Sequence, residues 1–195
     1  MSLRVIAGTA KGRKLKPVPG DSTRPVMDRV KEALFSILGA FVRDANFLDL
    51  FGGTGSVGIE ALSRGAKHAT FVELNRAALQ TLRDNLTHTQ LIDRADIRAM
   101  DAFELFRRTP DTTFDYIYIA PPQYKLMWKE ALTLLDANPT WLDVDGIVIV
   151  QINPRERWDV ELDLKNLVAY DEREYGNTML WFFEHRAAAE SSESA

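Results

Sequence analysis

A chain of 195 residues, 46% hydrophobic and 27% charged, can bury one sizeable core and is composed like an ordinary globular protein. The absence of cysteine excludes disulfides, thiolate metal sites and cysteine nucleophiles. No apolar run approaches the roughly 20 residues that span a bilayer, and the start lacks a signal-peptide core, so a cytoplasmic protein is expected.

The net charge of −4 is unevenly spread. Residues 1–43 hold nine Lys/Arg against three Asp/Glu, a net of +6, and the remainder holds 15 against 25, a net of −10. A basic amino-terminal segment on an acidic body suggests a localised anionic partner, nucleic acid being the usual one. A solvated basic hairpin is the alternative.

In chain order, residues 3–18 read as two short strands around a turn at Thr9 to Gly12, carrying Arg4, Lys11, Arg13, Lys14 and Lys16. Val26, Val30, Ala33, Leu34, Ile37, Leu38 and Phe41 then recur at helical spacing, with Pro25 suited to a helix start. From residue 46 strand-like runs (46–51, 69–74, 95–100, 114–119, 146–152) alternate with helix-like segments (near 56–64, 75–87, 101–108, 125–137), the signature of an α/β fold with a parallel sheet. Residues 167–185 read as two strands joined at Tyr175-Gly176-Asn177. With no room for a helix between them, they add an antiparallel hairpin. The expected division is a basic hairpin and helix over 1–43, a main domain over 44–186 and a disordered small-residue tail over 187–195.

LDLFGGTGSVGIEAL (48–62) is a strand, a glycine turn and a helix start. Gly53, Gly55 and Gly58 spell G-x-G-x-x-G, and Glu73 ends the next strand twenty residues after Gly53. Such a pattern matches an adenosine-type cofactor, the acid holding the ribose hydroxyls. Asp49, just before the turn, favours S-adenosylmethionine over NAD, since a diphosphate would meet its charge whereas a sulfonium and an ammonium group would welcome it. Asp101, with Ala102, follows the third strand and can accept from an adenine amine or cap a helix. His68, His88 and His185 are too scattered for a metal site, and none is expected.

The segments RVIAGTAKGRKL, STRPVMDRVKEALFSIL, LDLFGGTGSVGIEALSRGA, FVELNRAAL and the double-proline loop YIAPPQYK resemble the RsmD (YhhF) family, bacterial 16S rRNA guanine-N2 methyltransferases, over about residues 3–185. The resemblance implies a class I S-adenosylmethionine-dependent methyltransferase fold: a Rossmann-like seven-stranded sheet with the last strand antiparallel, carrying a small N-terminal β-hairpin and helix extension. It implies a cofactor set of Arg24, Asp28, Asp49, Phe51, Gly53, Gly55, Glu73, Leu74, Asp101 and Ala102. It also implies a catalytic loop of Ala120, Pro121, Pro122, Gln123 and Tyr124, with Tyr124 stacking on the target base or packed at a helix start. The basic hairpin and Arg29 would meet small-subunit rRNA or its assembly intermediate. The family usually carries Asp-Pro-Pro followed directly by Tyr or Phe; here Ala120 replaces the acid and the aromatic comes one residue later. A weakened or inactive RNA-binding relative and an NAD-type dinucleotide enzyme are the alternatives.

Overall fold

Alternating apolar strands and amphipathic helices dictate a layered α/β protein, and the computed structural model, which describes residues 3–20, 27–158 and 160–186, has that architecture. Seven strands form a sheet in the order β3-β2-β1-β4-β5-β7-β6. The chain divides into two compact units, Met1–Asp101 and Ala102–Ala195. Among the described residues no helix is long and apolar enough to cross a membrane.

The first unit holds α1 (Asp28–Leu38), β1 (Asn46–Asp49), α2 (Ser56–Ser63), β2 (His68–Glu73), α3 (Arg76–Thr89) and β3 (Ala95–Ala99). β1 runs parallel to β2 with Asp49 opposite Phe71, and β2 parallel to β3 with Glu73 opposite Ala99. All eight residues of α2 are buried, as befits a helix with little polar face. α3 instead shows an apolar stripe of Ala78, Leu79, Leu82 and Leu86. Its first turn is capped by Asn75, whose side chain accepts from the Ala77 and Ala78 N–H groups at 2.8 and 3.1 Å, the favoured role of Asn at that position.

Residues 3–18 turn back on themselves as expected, although the pairing is a single antiparallel bridge, Arg4 with Lys14, rather than two strands. The Val5 and Leu15 N–H groups donate to the Arg13 and Leu3 carbonyls at 2.9 and 2.8 Å. α1 is shorter than its sequence pattern. The chain leaves it at Gly39 for a 3-10 turn, so Phe41 is 83% exposed and Ile37 is exposed too, while Lys31 takes a buried place beside Val30 and Leu34.

The second unit holds α4 (Ala102–Phe106), β4 (Phe114–Ile119), α5 (Met127–Ala137), β5 (Leu142–Ile152), β6 (Leu167–Tyr175) and β7 (Thr178–His185). β4 is parallel to β5, β5 antiparallel to β7, and β7 antiparallel to β6. The β6–β7 turn uses Gly176 at φ 68°, a left-handed geometry that glycine adopts without steric cost. β5 starts four residues before the apolar run at 146, because Asp143, Val144 and Asp145 give no strand signal and the ladder shifts register there. Trp128, Trp181 and Phe183 pack with ring centroids 5.9 and 4.7 Å apart, and Asp136 accepts the Lys165, Asn166 and Leu167 N–H groups at 2.8–2.9 Å, anchoring the start of β6.

Candidate active site

Each unit holds one polar constellation. In the first, β1 ends on Asp49 and the chain must turn at once into α2. Gly53 and Gly55 sit at φ 51° and 77°, and Gly55 N–H closes the turn onto the Gly52 carbonyl at 2.7 Å. A Cβ on Gly55 would lie 2.4 Å from Leu82 Cδ1, and one on Gly58 2.3 Å from the Phe71 ring. Glycine is therefore required at Gly55 by backbone conformation and contact together, and at Gly58 by contact alone.

Asp49 is almost fully buried. Gly58 N–H donates to its Oδ2 at 3.2 Å. Burial pushes its carboxyl up to about 7, the Gly58 bond opposes the rise, and the Glu73 charge adds to it. A buried acid so poised gains most from a cation beside it. Glu73 receives Gly53 N–H on Oε2 at 2.9 Å and the Leu74 and Asn75 N–H groups on Oε1 at 2.8 Å each. An ionised carboxylate accepts about four bonds, so it retains room for a hydroxyl donor. These features fit the groups of S-adenosylmethionine: a buried acid for a cationic end, a carboxylate with room for a hydroxyl donor, and a glycine-rich loop between them.

Phe51 is half-buried in the same loop, Leu74 is exposed beyond β2, Asp101 is half-buried two residues past β3, and Ala102 is buried at the first position of α4. Asp49, Gly53, Gly55, Glu73 and Asp101 thus gather at the carboxyl ends of parallel strands, where open α/β sheets bind ligands. Asp28, at the start of α1, pairs with Arg4, Nε to Oδ2 2.9 Å, in an exposed salt bridge. Arg24 lies outside the described residues, as does the tail from 187.

The basic segment is tied to the body more than its sequence suggests. Arg13 donates to the His88 carbonyl at 2.6 Å and to Gln90 Oε1 at 3.1 Å, and Lys16 pairs with Asp84 at 3.0 Å. Lys11 and Lys14 are exposed and make no ion pair among the described residues. Arg29 is exposed on α1.

In the second unit, β4 ends at Ile119 and runs into Ala120-Pro121-Pro122-Gln123-Tyr124. Pro121 is buried and Pro122 to Leu126 are exposed. Tyr124 is 64% exposed, in a turn ahead of α5 rather than packed at its start, whereas Trp128 one helical turn later is fully buried. Tyr124 holds φ at 61° and Leu126 at 53°, a left-handed backbone that costs a non-glycine residue roughly 1–2 kcal/mol. Tyr124 N–H donates to Glu156 Oε2 at 2.9 Å.

Four residues that hold these loops escape a reading of the sequence. Lys31 and Glu60 are fully buried and 3.4 Å apart. Lys31 Nζ also donates to the Arg4 carbonyl and to Ser56 Oγ at 2.6 and 3.1 Å. Glu60 accepts the Ile6 and Ala7 N–H groups at 2.8 and 3.0 Å and pairs with Arg64 at 2.8 Å. Burial pulls the Lys31 ammonium below its ordinary value, and Glu60 opposes that shift. The only signal for Glu60 is a charge on a helix that lacks a polar face. Asn85, also buried, exchanges bonds with the Lys16 backbone and donates to the Thr54 carbonyl at 2.9 Å, joining the amino-terminal segment, the glycine loop and α3. Glu156 lies thirty-two residues from the tyrosine it contacts, beyond the reach of any local motif. Among the described residues no group of three or more His, Cys, Asp or Glu is arranged to hold a metal ion.

The chain is similar to known proteins. The family model described as Conserved hypothetical protein 95 matches residues 3–184. The Bacillus subtilis (strain 168) protein YlbH is 38% identical over 188 residues, 94% of this chain and 100% of that one. Ribosomal RNA small subunit methyltransferase D of Escherichia coli (strain K12) is 37% identical over 150 residues, 76% of this chain and 74% of that one. The solved structure of yhhF from Escherichia coli aligns with a TM-score of 0.82 at 32% identity, covering 96% of this chain and 99% of that one. With the match spanning both the glycine loop and the double-proline loop, the chain belongs to this family, the RsmD methyltransferases.

Proposed function

We propose that the protein methylates the exocyclic N2 amine of a guanine in small-subunit rRNA, with S-adenosylmethionine as donor. The observation that carries the reading is the buried Asp49 carboxyl at the mouth of a glycine loop whose next strand ends in Glu73. Asp49 and the loop backbone at Gly53 and Gly55 would hold the methionine end, Glu73 the ribose, and Asp101 with Ala102 the adenine edge. Phe51 and Leu74 would flank the nucleoside, with Arg24 and Asp28 contributing further polar contacts. Held there, S-adenosylmethionine would supply an electrophilic sulfonium methyl to the amine, which would release one proton to solvent as S-adenosylhomocysteine is left.

The chain's own task is positioning. A guanine amine is a weak nucleophile because its lone pair is delocalised into the ring, so it must be fixed in line with the methyl and its N–H groups need acceptors as charge develops on nitrogen. The Ala120 and Pro121 carbonyls take that role, with Gln123 as a further acceptor; proline leaves its carbonyl available and brings no competing N–H. Tyr124 stacks on a base drawn out of its helix. Residues 1–43 form the RNA-engaging extension of a methyltransferase domain over 44–186, with Arg4, Lys11, Arg13, Lys14, Lys16 and Arg29 near phosphates. An rRNA substrate, naked or in an assembly intermediate, implies a cytoplasmic site of action.

Labelled methyl transfer to undermethylated small-subunit particles, followed by mass-spectrometric mapping, tests the reading; no transfer despite cofactor binding would reject it. One observation favours a second reading: Ala120 offers no side-chain acceptor where the family usually has an acid. Loss of one preorganised polar group typically costs about 100–1000-fold in rate. On the active reading the parent methylates measurably and Ala120→Asp accelerates it. A parent with no turnover that gains it only as Ala120→Asp is instead an RNA-binding relative.

A further inference from the structure

Glu156 is buried in the turn after β5, and its two oxygens have different duties. Oε1 accepts Asn153 N–H at 3.2 Å while Asn153 Oδ1 accepts Arg155 N–H at 3.0 Å. That reciprocal pair completes a capping box over residues 153–156 and needs only one carboxylate oxygen. Oε2 is spent elsewhere, on Tyr124 N–H at 2.9 Å. The bond meets the double-proline loop where its backbone is least relaxed, since Tyr124 and Leu126 both hold positive φ. Such conformations persist only where the surroundings over-determine them. Pro121 and Pro122 stiffen the entrance to the loop, and a buried acid holds its far end.

We infer that Glu156 is a positioning residue for the methyl-transfer reaction, presetting the exposed Tyr124 ring to receive the target base. The inference rests on the proposal that Tyr124 stacks on that base. It assigns no contact between Glu156 and substrate; the carboxylate acts through the Tyr124 backbone. An acid suits the task because two N–H groups from separate segments must be accepted at once. Glutamine at this place carries a single acceptor oxygen, so it satisfies one N–H and turns its own amide N–H groups toward the other.

The test is a double-mutant cycle on the full chain with Glu156→Ala and Tyr124→Ala. It is read in kcat/KM for undermethylated small-subunit particles, or in Kd for the same particles where turnover is too slow to measure. S-adenosylhomocysteine affinity serves as a control. Glu156→Ala is expected to cost about tenfold in the Tyr124 protein, the size of a lost base–aromatic stacking contact, and nothing further in the Tyr124→Ala protein. Cofactor affinity stays unchanged throughout, and hydrogen exchange at the Tyr124 amide accelerates. Equal costs in both backgrounds would overturn the inference, because a purely structural turn would matter regardless of the ring. A Tyr124→Ala protein as active as its parent would instead refute the stacking role itself, and the inference with it. Should Glu156→Ala fail to fold, Glu156→Gln is read in the same cycle, with a smaller loss expected.

Discussion

At the scale of single residues, Asp49 joins burial to chemistry most directly. In the folded protein its carboxyl is raised to about 7 by burial, above the ordinary value it has in the unfolded chain. The neutral form is therefore favoured on folding: Asp49's contribution to stability is complete only below the unfolded value of 3.8, and is lost as pH rises from there through about 7. A cation bound beside the carboxyl reverses the preference. Affinity for S-adenosylmethionine is expected to increase as pH goes from 6 to 7 and to level off above, as read by titration calorimetry. Asp49→Asn should flatten that profile and weaken binding at pH 8 by about 10–100-fold, the equivalent of one hydrogen bond to a charged group. The position of this acid was legible in the sequence. Its isolation was not, because burial is a property of everything packed around β1.

At the scale of elements, the glycine loop and the α1–α2 contact are rigid for different reasons. Gly55→Ala would force a Cβ into Leu82 at a left-handed φ; strain and overpacking together should cost about 2 kcal/mol or more, measured as a lower urea midpoint. Lys31→Met removes the ammonium that joins Glu60, Ser56 and the Arg4 carbonyl. Breaking a buried pair typically costs about 3–5 kcal/mol. The lower end is expected here, because Glu60 keeps Arg64 and two backbone N–H groups. The strands and helices of both units were readable from periodicity, to within a few residues at most ends. The start of β5 was hidden by polar residues on its exposed stretch, and the shortened α1 by apolar residues that lead into a 3-10 turn instead of the core.

At the scale of the whole molecule, the charge asymmetry translates into a salt dependence. Arg4, Arg13 and Lys16 are engaged with acids or carbonyls, while Lys11 and Lys14 have no such partner among the described residues. Removing Lys11 or Lys14 is expected to lower the slope of log Kd against log salt by about 0.7–0.9 each, one phosphate contact apiece, with thermal stability unchanged. Arg13→Ala should lower stability as well as affinity, since its guanidinium ties the hairpin to the end of α3. A filter-binding series over salt, paired with melting curves, separates the two effects.

By itself the sequence determined the α/β order, the antiparallel final hairpin, the glycine turn with its flanking acids, and the position of the double-proline loop. Each is written in local periodicity or in short spacings along the chain. Only the tertiary structure decided which charges are spent on holding the protein together. Lys31 meets Glu60, Asn85 meets Thr54 and Lys16, and Glu156 meets Tyr124 across tens of residues. In such cases the free energy of a polar group depends on burial and on partners brought near by the fold, which no local pattern records.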